Sequence, residues 1–166
     1  IELPWMGTMS FDTAGRTMMG TSPAAMVELI SSIPNKPVAF GANCGTGAPD
    51  LLRTVQDFAK FSPSSILIAK GNAGIPKYVD GHILYDGTPE LMAKYAVMAR
   101  NSGATIIGGC CGTKSEHLLS MRSALENESL GAVPSLQQIE LEIGSFSSQI
   151  RKIIKENKPK RRRRRI

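Results

Sequence analysis

Short apolar runs alternate with helix-like segments along most of the chain. Four such runs, at residues 3–9, 37–41, 65–69 and 104–107, are too short for helices and lack the polar alternation of an exposed strand. Each is followed by a polar or glycine-rich loop and then by a segment with helical character. The pattern predicts four βα units, and therefore an α/β fold with a buried parallel sheet.

Capping residues indicate where the helices of these units begin. Proline is tolerated at the first helical position, because its missing N–H would have no partner inside the helix. Serine or threonine before a helix accepts a hydrogen bond from a free backbone N–H. These signals predict helix starts at Ser22, Pro49, Thr88 and a capping box of Thr113 with Glu116.

The sequence pattern changes after the four βα units. Residues 126–134 are predicted to be a polar linker, residues 135–155 an amphipathic helix, and residues 156–166 a disordered arginine-rich tail. We expect the helix to pack its apolar stripe on the body or on a partner subunit. The stripe comprises Ile139, Ile143, Phe146, Ile150 and Ile153.

Positive charge is concentrated in the tail. The 166 residues include 20 Lys and Arg against 14 Asp and Glu, for a net charge of +6. Residues 155–166 hold eight basic residues and one acidic residue, so the remainder carries 12 basic against 13 acidic, a net charge of −1. A basic run without interleaved aromatic residues favours a solubilising tail, or a docking tail for an acidic protein, over nucleic-acid binding.

Cysteine usage and hydropathy exclude several classes of protein. Three cysteines, two of them adjacent, do not make a disulfide framework. No charged-then-apolar leader opens the sequence, and no run approaches the ~20 apolar residues of a membrane span. We therefore expect a soluble, cytoplasmic protein that does not insert into a membrane.

The positions of the cysteines indicate a candidate site. Cys44 follows the second predicted strand, whereas Cys110 and Cys111 follow the fourth. The carboxyl ends of parallel strands share one edge, which carries the active site in such folds. An isolated cysteine is usually a small core residue, but three thiolates at one edge suit Zn²⁺ and leave its fourth position open. His82, in a polar loop, and His117, on a helix leading away, are less favoured as a fourth ligand.

Polar residues near the same edge are candidates for supporting roles. Asn43 and Asn72 either orient a substrate and the cysteine sulfurs through amide hydrogen bonds or simply form turns. Asp12 and Arg16 follow the first predicted strand. Arg16 either binds a carboxylate of the substrate or ties down its own loop with Asp12.

Four motifs around these residues carry a resemblance to a known family. They are SFDTAGRT at 10–17, GANCG at 41–45, KGNAGIP at 70–76 and GGCCGT at 108–113. With these motifs, residues 3–125 resemble the homocysteine S-methyltransferase family, which includes betaine–homocysteine methyltransferases and the homocysteine-binding domain of cobalamin-dependent methionine synthases.

The resemblance implies a fold, a metal and a reaction. The fold is a (β/α)8 TIM barrel, of which residues 1–125 would supply the last four βα units, with a C-terminal helix following. Cys44, Cys110 and Cys111 would bind Zn²⁺, and zinc-bound homocysteine thiolate would be the nucleophile that accepts a methyl group to form methionine. Asn43, Asn72, Asp12 and Arg16 would bind substrate or support the metal ligands.

The resemblance does not identify the methyl donor, and two alternatives to the methyltransferase function stay open. Betaine, S-methylmethionine, methyltetrahydrofolate or a methylated corrinoid protein fits the resemblance. Because the chain has no cobalamin-binding motif, methylcobalamin would come from a separate corrinoid protein or domain. The alternatives are a truncated, non-catalytic half-barrel that binds zinc only, and a nucleic-acid-binding protein acting through its tail. The open edges of a half-barrel also predict self-association.

Overall fold

A computed structural model describes residues 3–12 and 15–147 of the chain. This part of the chain folds into short strands and helices that mostly alternate. In chain order they are β1 (Met6–Met9), α1 (Pro23–Ser32), β2 (Ala39–Cys44), α2 (Ala48–Phe61), β3 (Leu67–Gly71), β4 (Lys77–Val79), β5 (His82–Leu84), α3 (Pro89–Asn101), β6 (Ala104–Gly109), α4 (Ser115–Asn127) and α5 (Leu136–Ile143).

Four of the strands form one parallel sheet in the order β1-β2-β3-β6. The predicted α/β fold with a parallel sheet is therefore confirmed, and each predicted apolar run overlaps one of these strands. Strands β2, β3 and β6 continue past their predicted ends to Cys44, Gly71 and Gly109. The described sheet is open, with β1 and β6 at its edges, so closure into an eight-stranded barrel stays a prediction.

A small antiparallel hairpin, β4–β5, lies between β3 and α3. The sequence predicted a polar loop in this region, and His82 instead lies in β5. The turn is made by Asp80 and Gly81, whose φ angles are +49° and +82°. Positive φ at both central residues defines the turn that best matches the twist of two antiparallel strands, and Asp-Gly is a favoured sequence for it.

Two of the predicted helix caps are observed, and one is wrong. The hydroxyls of Ser22 and Thr88 accept hydrogen bonds from N–H groups three residues later. Helix α4, however, begins at Ser115, and its cap is Lys114, whose N–H donates to Nδ1 of His117 at 2.9 Å. The predicted capping box of Thr113 and Glu116 is replaced because the imidazole satisfies the free N–H instead.

Helix α5 ends inside the predicted C-terminal helix. Helix α4 runs to Asn127, so the predicted linker begins later than residue 126, and α5 ends at Ile143 rather than continuing to residue 155. Gly144 ends the helix because its φ of +125° is incompatible with helical geometry. Residues 148–155 of the predicted helix, and the tail at 156–166, lie outside the described residues.

The buried core lies between the sheet and its helices. Phe58 of α2 packs edge-to-face against Phe11 and Phe40, with ring centroids 5.6 Å and 5.4 Å away. The first part of the predicted apolar stripe, Ile139, Ile143 and Phe146, is buried in the core. Helix α5, which carries Ile139 and Ile143, packs against α2 and α3. None of the described helices has the length and apolar character needed to cross a bilayer.

Candidate metal centre

The three cysteines meet at the carboxyl edge of the sheet. Cys44 is the last residue of β2, and Cys110 and Cys111 directly follow β6. The three sulfur atoms lie within 4.8 Å of one another. The Cys111 sulfur is 3.8 Å from that of Cys44 and 4.0 Å from that of Cys110. The structure thus brings together the three residues that the sequence analysis singled out as metal ligands.

Two of the three sulfurs are joined directly. Cys44 and Cys110 form a disulfide with Cα atoms 5.7 Å apart, and Cys111 is the free thiol. This pairing differs from the three free thiols that the sequence analysis expected. The physical reason is proximity, because thiols placed to share one metal ion are also close enough to be oxidised to a disulfide.

The spacing of the sulfur atoms fits a tetrahedral metal site. Zinc binds cysteine sulfur at about 2.3 Å, which places two tetrahedral ligands about 3.8 Å apart. The distances from Cys111 to the other two sulfurs match that spacing. Once the disulfide is reduced, all three cysteines are free thiols that can act as ligands. The donor set of three thiolates therefore fits zinc.

The Cys44 backbone is strained in a way that aims its side chain. Its φ of +53° lies in the left-handed region, which residues with a Cβ rarely adopt. Gly45 follows with a φ of +69°, and a Cβ there would overlap the carbonyl oxygen of Phe11. Such backbone strain concentrates at functional sites, where the surrounding structure holds it in place. The turn after β2 therefore needs a glycine to present Cys44 at the edge.

The end of β3 holds the Cys110–Cys111 loop through backbone hydrogen bonds. The N–H of Cys110 donates to the carbonyl of Gly71 at 2.7 Å. The N–H of Ala73 donates to the carbonyl of Cys111 at 2.9 Å. The N–H of Cys111 donates to Oδ1 of Asn72 at 3.2 Å. Residues 71–73 therefore fix both neighbouring cysteines, although they supply no ligand themselves.

The side chain of Asn72 links the two cysteine loops. It is 2% exposed, and its Nδ2 donates to the carbonyl of Gly45 at 3.3 Å while its Oδ1 receives the Cys111 N–H. These hydrogen bonds of the amide go to backbone groups on either side of the site. Asn72 thus braces the two loops through their backbones, whereas hydrogen bonds to the cysteine sulfurs and a role in binding substrate stay predictions.

The remaining predicted residues lie at the same edge in less central positions. Nδ2 of Asn43 donates to Oγ of Ser10 at 3.4 Å. Arg16 donates to the carbonyl of Gly20 at 2.9 Å, and the backbone N–H of Asp12 donates to the Arg16 carbonyl. The Arg16 side chain therefore closes its own loop through the Gly20 carbonyl, and the Arg16 backbone is bonded to Asp12. Substrate binding by these three residues stays a prediction.

The histidines lie outside the sulfur cluster. His117 is buried, with Nδ1 accepting from Lys114 and Nε2 donating to the carbonyl of Gly87 at 2.9 Å. Nδ1 therefore caps α4, and Nε2 ties α4 to the segment before α3. His82 is exposed on the hairpin. In the part of the chain that the structure describes, only the cysteines group as potential metal ligands.

Two tyrosines that the sequence analysis missed support the site. The hydroxyl of Tyr95 is buried beneath β3 and accepts the N–H of Gly71 at 2.9 Å, and burial raises the pKa of Tyr95 above its usual value. Tyr85 packs on Gly112, the residue after Cys111. Burial first, and then interaction with the nearby Cys111 side chain, raise the pKa of Tyr85. The Asp80–Gly81 turn signal could have predicted the hairpin that precedes Tyr85, but not where Tyr85 packs.

Fold and site together define an α/β protein with a three-cysteine, metal-type centre at the carboxyl edge of a parallel sheet. The sequence model of homocysteine S-methyltransferases matches residues 1–125. The chain belongs to the homocysteine S-methyltransferase family, as its motifs predicted.

A solved structure gives an independent comparison of the fold. The oxidized form of the homocysteine methyltransferase MmuM from Escherichia coli superimposes with a TM-score of 0.54 and 22% sequence identity. The match covers 72% of this chain and 35% of that one. The chain therefore spans about a third of the length of the structure that it resembles.

Proposed function

We propose that the chain is the metal-binding part of a zinc-dependent S-methyltransferase that methylates homocysteine to methionine. The observation that carries the proposal is the cluster of Cys44, Cys110 and Cys111, with two sulfur separations of 3.8 Å and 4.0 Å at the sheet edge. Family membership over residues 1–125 supports homocysteine as the methyl acceptor.

The chain's own residues contribute charge and geometry to this reaction. The chemistry that zinc supplies when bound is deprotonation of a thiol ligand, which makes its sulfur a nucleophile at neutral pH. The three cysteines would hold the metal and keep the site rich in negative charge. Asn72 would hold the two cysteine loops together through its amide hydrogen bonds. The sulfur of homocysteine gains the methyl group as the donor's bond to that carbon breaks, and the thiol proton passes to solvent.

Metal analysis of the reduced chain tests the first part of the proposal. We expect one zinc per chain after reduction, and loss of the metal when Cys44, Cys110 or Cys111 is replaced by serine. His82→Ala is the matched control, because it removes a metal-ligating residue type from the exposed hairpin. Equal zinc content in the Cys110→Ser variant and the unchanged chain would show that the cluster is not the site.

Product formation tests the second part. The zinc-loaded chain is incubated with homocysteine and, separately, with betaine, S-methylmethionine, methyltetrahydrofolate or a methylated corrinoid protein, and methionine is measured. We expect methionine with one donor class and none from the Cys110→Ser variant. A chain that binds zinc but forms no methionine with any donor is the zinc-only protein of the alternative hypothesis, and that result overturns catalysis by this chain.

A further inference from the structure

The β4–β5 hairpin is anchored beside the Cys110–Cys111 loop. The N–H of Gly87, just after the hairpin, donates to the carbonyl of Ala73 at 2.9 Å. Ala73 in turn donates its own N–H to the carbonyl of Cys111. Lys77 and Asp86 form an ion pair that joins the two ends of the hairpin. The base of the hairpin and the backbone of Cys111 are therefore held by the same residue of the chain.

Tyr85 lies at this base and packs on the double-cysteine loop. A Cβ at Gly112 would overlap the Cβ and Cγ atoms of Tyr85, so the tyrosine occupies space that only a glycine leaves free. Gly112 also has a φ of +75°, which favours glycine independently. Because Gly112 directly follows Cys111, this packing places Tyr85 against the double-cysteine loop, one residue from the third sulfur. A tyrosine hydroxyl can donate a hydrogen bond to a thiolate.

Cys111 is the sulfur that most needs such a partner. It is exposed, whereas Cys44 and Cys110 are partly buried. Asn72 and Ala73 fix its backbone and leave the rotation of its side chain free. A hydrogen bond to a metal-bound thiolate fixes its direction and offsets part of its charge, and removal of partners of this kind typically weakens metal binding about 10- to 100-fold.

We propose that Tyr85 is a positioning residue of the metal centre, whose hydroxyl donates a hydrogen bond to the Cys111 sulfur and holds it in place for the metal. The inference rests on the proposed function, because it requires that the cysteine cluster bind zinc. It adds a residue from outside the motifs of the family resemblance. The role of Tyr85 also assigns a function to the β4–β5 hairpin, which positions Tyr85 at the edge of the sheet.

The test compares two tyrosines of the same segment. Tyr85→Phe removes the hydroxyl and keeps the ring that packs on Gly112. Tyr78→Phe is the matched control, because Tyr78 lies on β4 and is 77% exposed. Zinc dissociation constants are measured on the reduced chain by competition with a chromophoric chelator. We expect Tyr85→Phe to bind zinc about 10-fold more weakly than the unchanged chain, and Tyr78→Phe to bind it equally well.

A spectroscopic readout separates positioning of the sulfur from a general loss of structure. Cobalt(II) replaces zinc, and the sulfur-to-cobalt charge-transfer band is recorded at saturation. Loss of the hydrogen bond makes the sulfur a better electron donor, so the band should move to longer wavelength in Tyr85→Phe alone. Identical affinities and bands in the two variants overturn the role of Tyr85 and leave the proposed function standing. An unchanged chain that binds neither metal overturns both.

Discussion

Replacing Asn72 by alanine removes a side chain that braces both cysteine loops. The amide is 2% exposed and makes hydrogen bonds of 3.2 Å to the Cys111 N–H and 3.3 Å to the Gly45 carbonyl. Alanine leaves both groups without this partner, and both hydrogen bonds are partly buried. A buried polar group left unsatisfied costs about 1–3 kcal/mol. We therefore expect the free energy of unfolding to fall by about 2–4 kcal/mol.

The same change should weaken zinc binding. Without the brace, the Cys44 turn and the Cys110–Cys111 loop no longer hold their sulfurs at ligand spacing before the metal arrives. We expect zinc affinity to fall about 10- to 100-fold, the usual effect of losing a residue that orients metal ligands. Stability is measured by urea denaturation of the reduced, metal-free chain, and affinity by chelator competition.

A second asparagine gives the control for this prediction. Asn127 is exposed at the end of α4, where its Nδ2 donates to the carbonyl of Ser123 at 2.9 Å. Asn127→Ala makes the same chemical change away from the cysteines and should shift stability by less than about 0.5 kcal/mol. The brace is refuted if Asn72→Ala and Asn127→Ala have the same unfolding free energy and the same zinc affinity.

Two further predictions concern the disulfide and the C-terminal helix. Without reductant, a thiol reagent should label Cys111 alone and the chain should take up no zinc, whereas after reduction all three cysteines should react and zinc should bind; labelling of three thiols in the untreated chain would contradict the pairing. Ile139→Ala should lower the free energy of unfolding by about 2–5 kcal/mol, because Ile139 is fully buried. Leu141→Ala should lower it by less than about 0.5 kcal/mol, because Leu141, also on α5, is 86% exposed. Equal costs in denaturant titrations would show that α5 does not pack as described.

The sequence predicted the sheet well because buried parallel strands are continuous apolar runs. It misplaced the carboxyl ends of the strands, since Asn43, Cys44 and Gly71 resemble loop residues although they still pair in the sheet. The cysteine site lies at these carboxyl ends of the strands. Because the predicted strands were too short, the prediction also underestimated how firmly the sheet holds Cys44. The Cys44 side chain starts from a hydrogen-bonded strand rather than from a flexible loop.

Contacts between distant residues could not be read from the sequence. The periodicity of hydrophobic residues indicates which face of a helix or strand is buried. It does not indicate which polar groups of different helices and strands form hydrogen bonds with each other. The hydrogen bond from Gly71 to Tyr95 and the packing of Tyr85 on Gly112 join residues more than 20 positions apart. The cysteines could be predicted as a group because strand topology alone brings their positions to one edge, whereas these partners depend on side-chain packing.

The central position of β3 explains how cysteines from strands that are not neighbours reach one ion. Strands β2 and β6 lie on opposite sides of β3, so their backbones should be about 9.6 Å apart at two spacings of about 4.8 Å. The Cα atoms of Cys44 and Cys110 are nevertheless 5.7 Å apart. The chain after β6 must therefore turn back across the end of β3, and the hydrogen bond from Cys110 to the Gly71 carbonyl is that crossing. Because Gly71 is paired with Cys44 on one side and with Gly109 on the other, a slip of one residue in either register would move a sulfur by about 3.3 Å, beyond the reach of a shared metal.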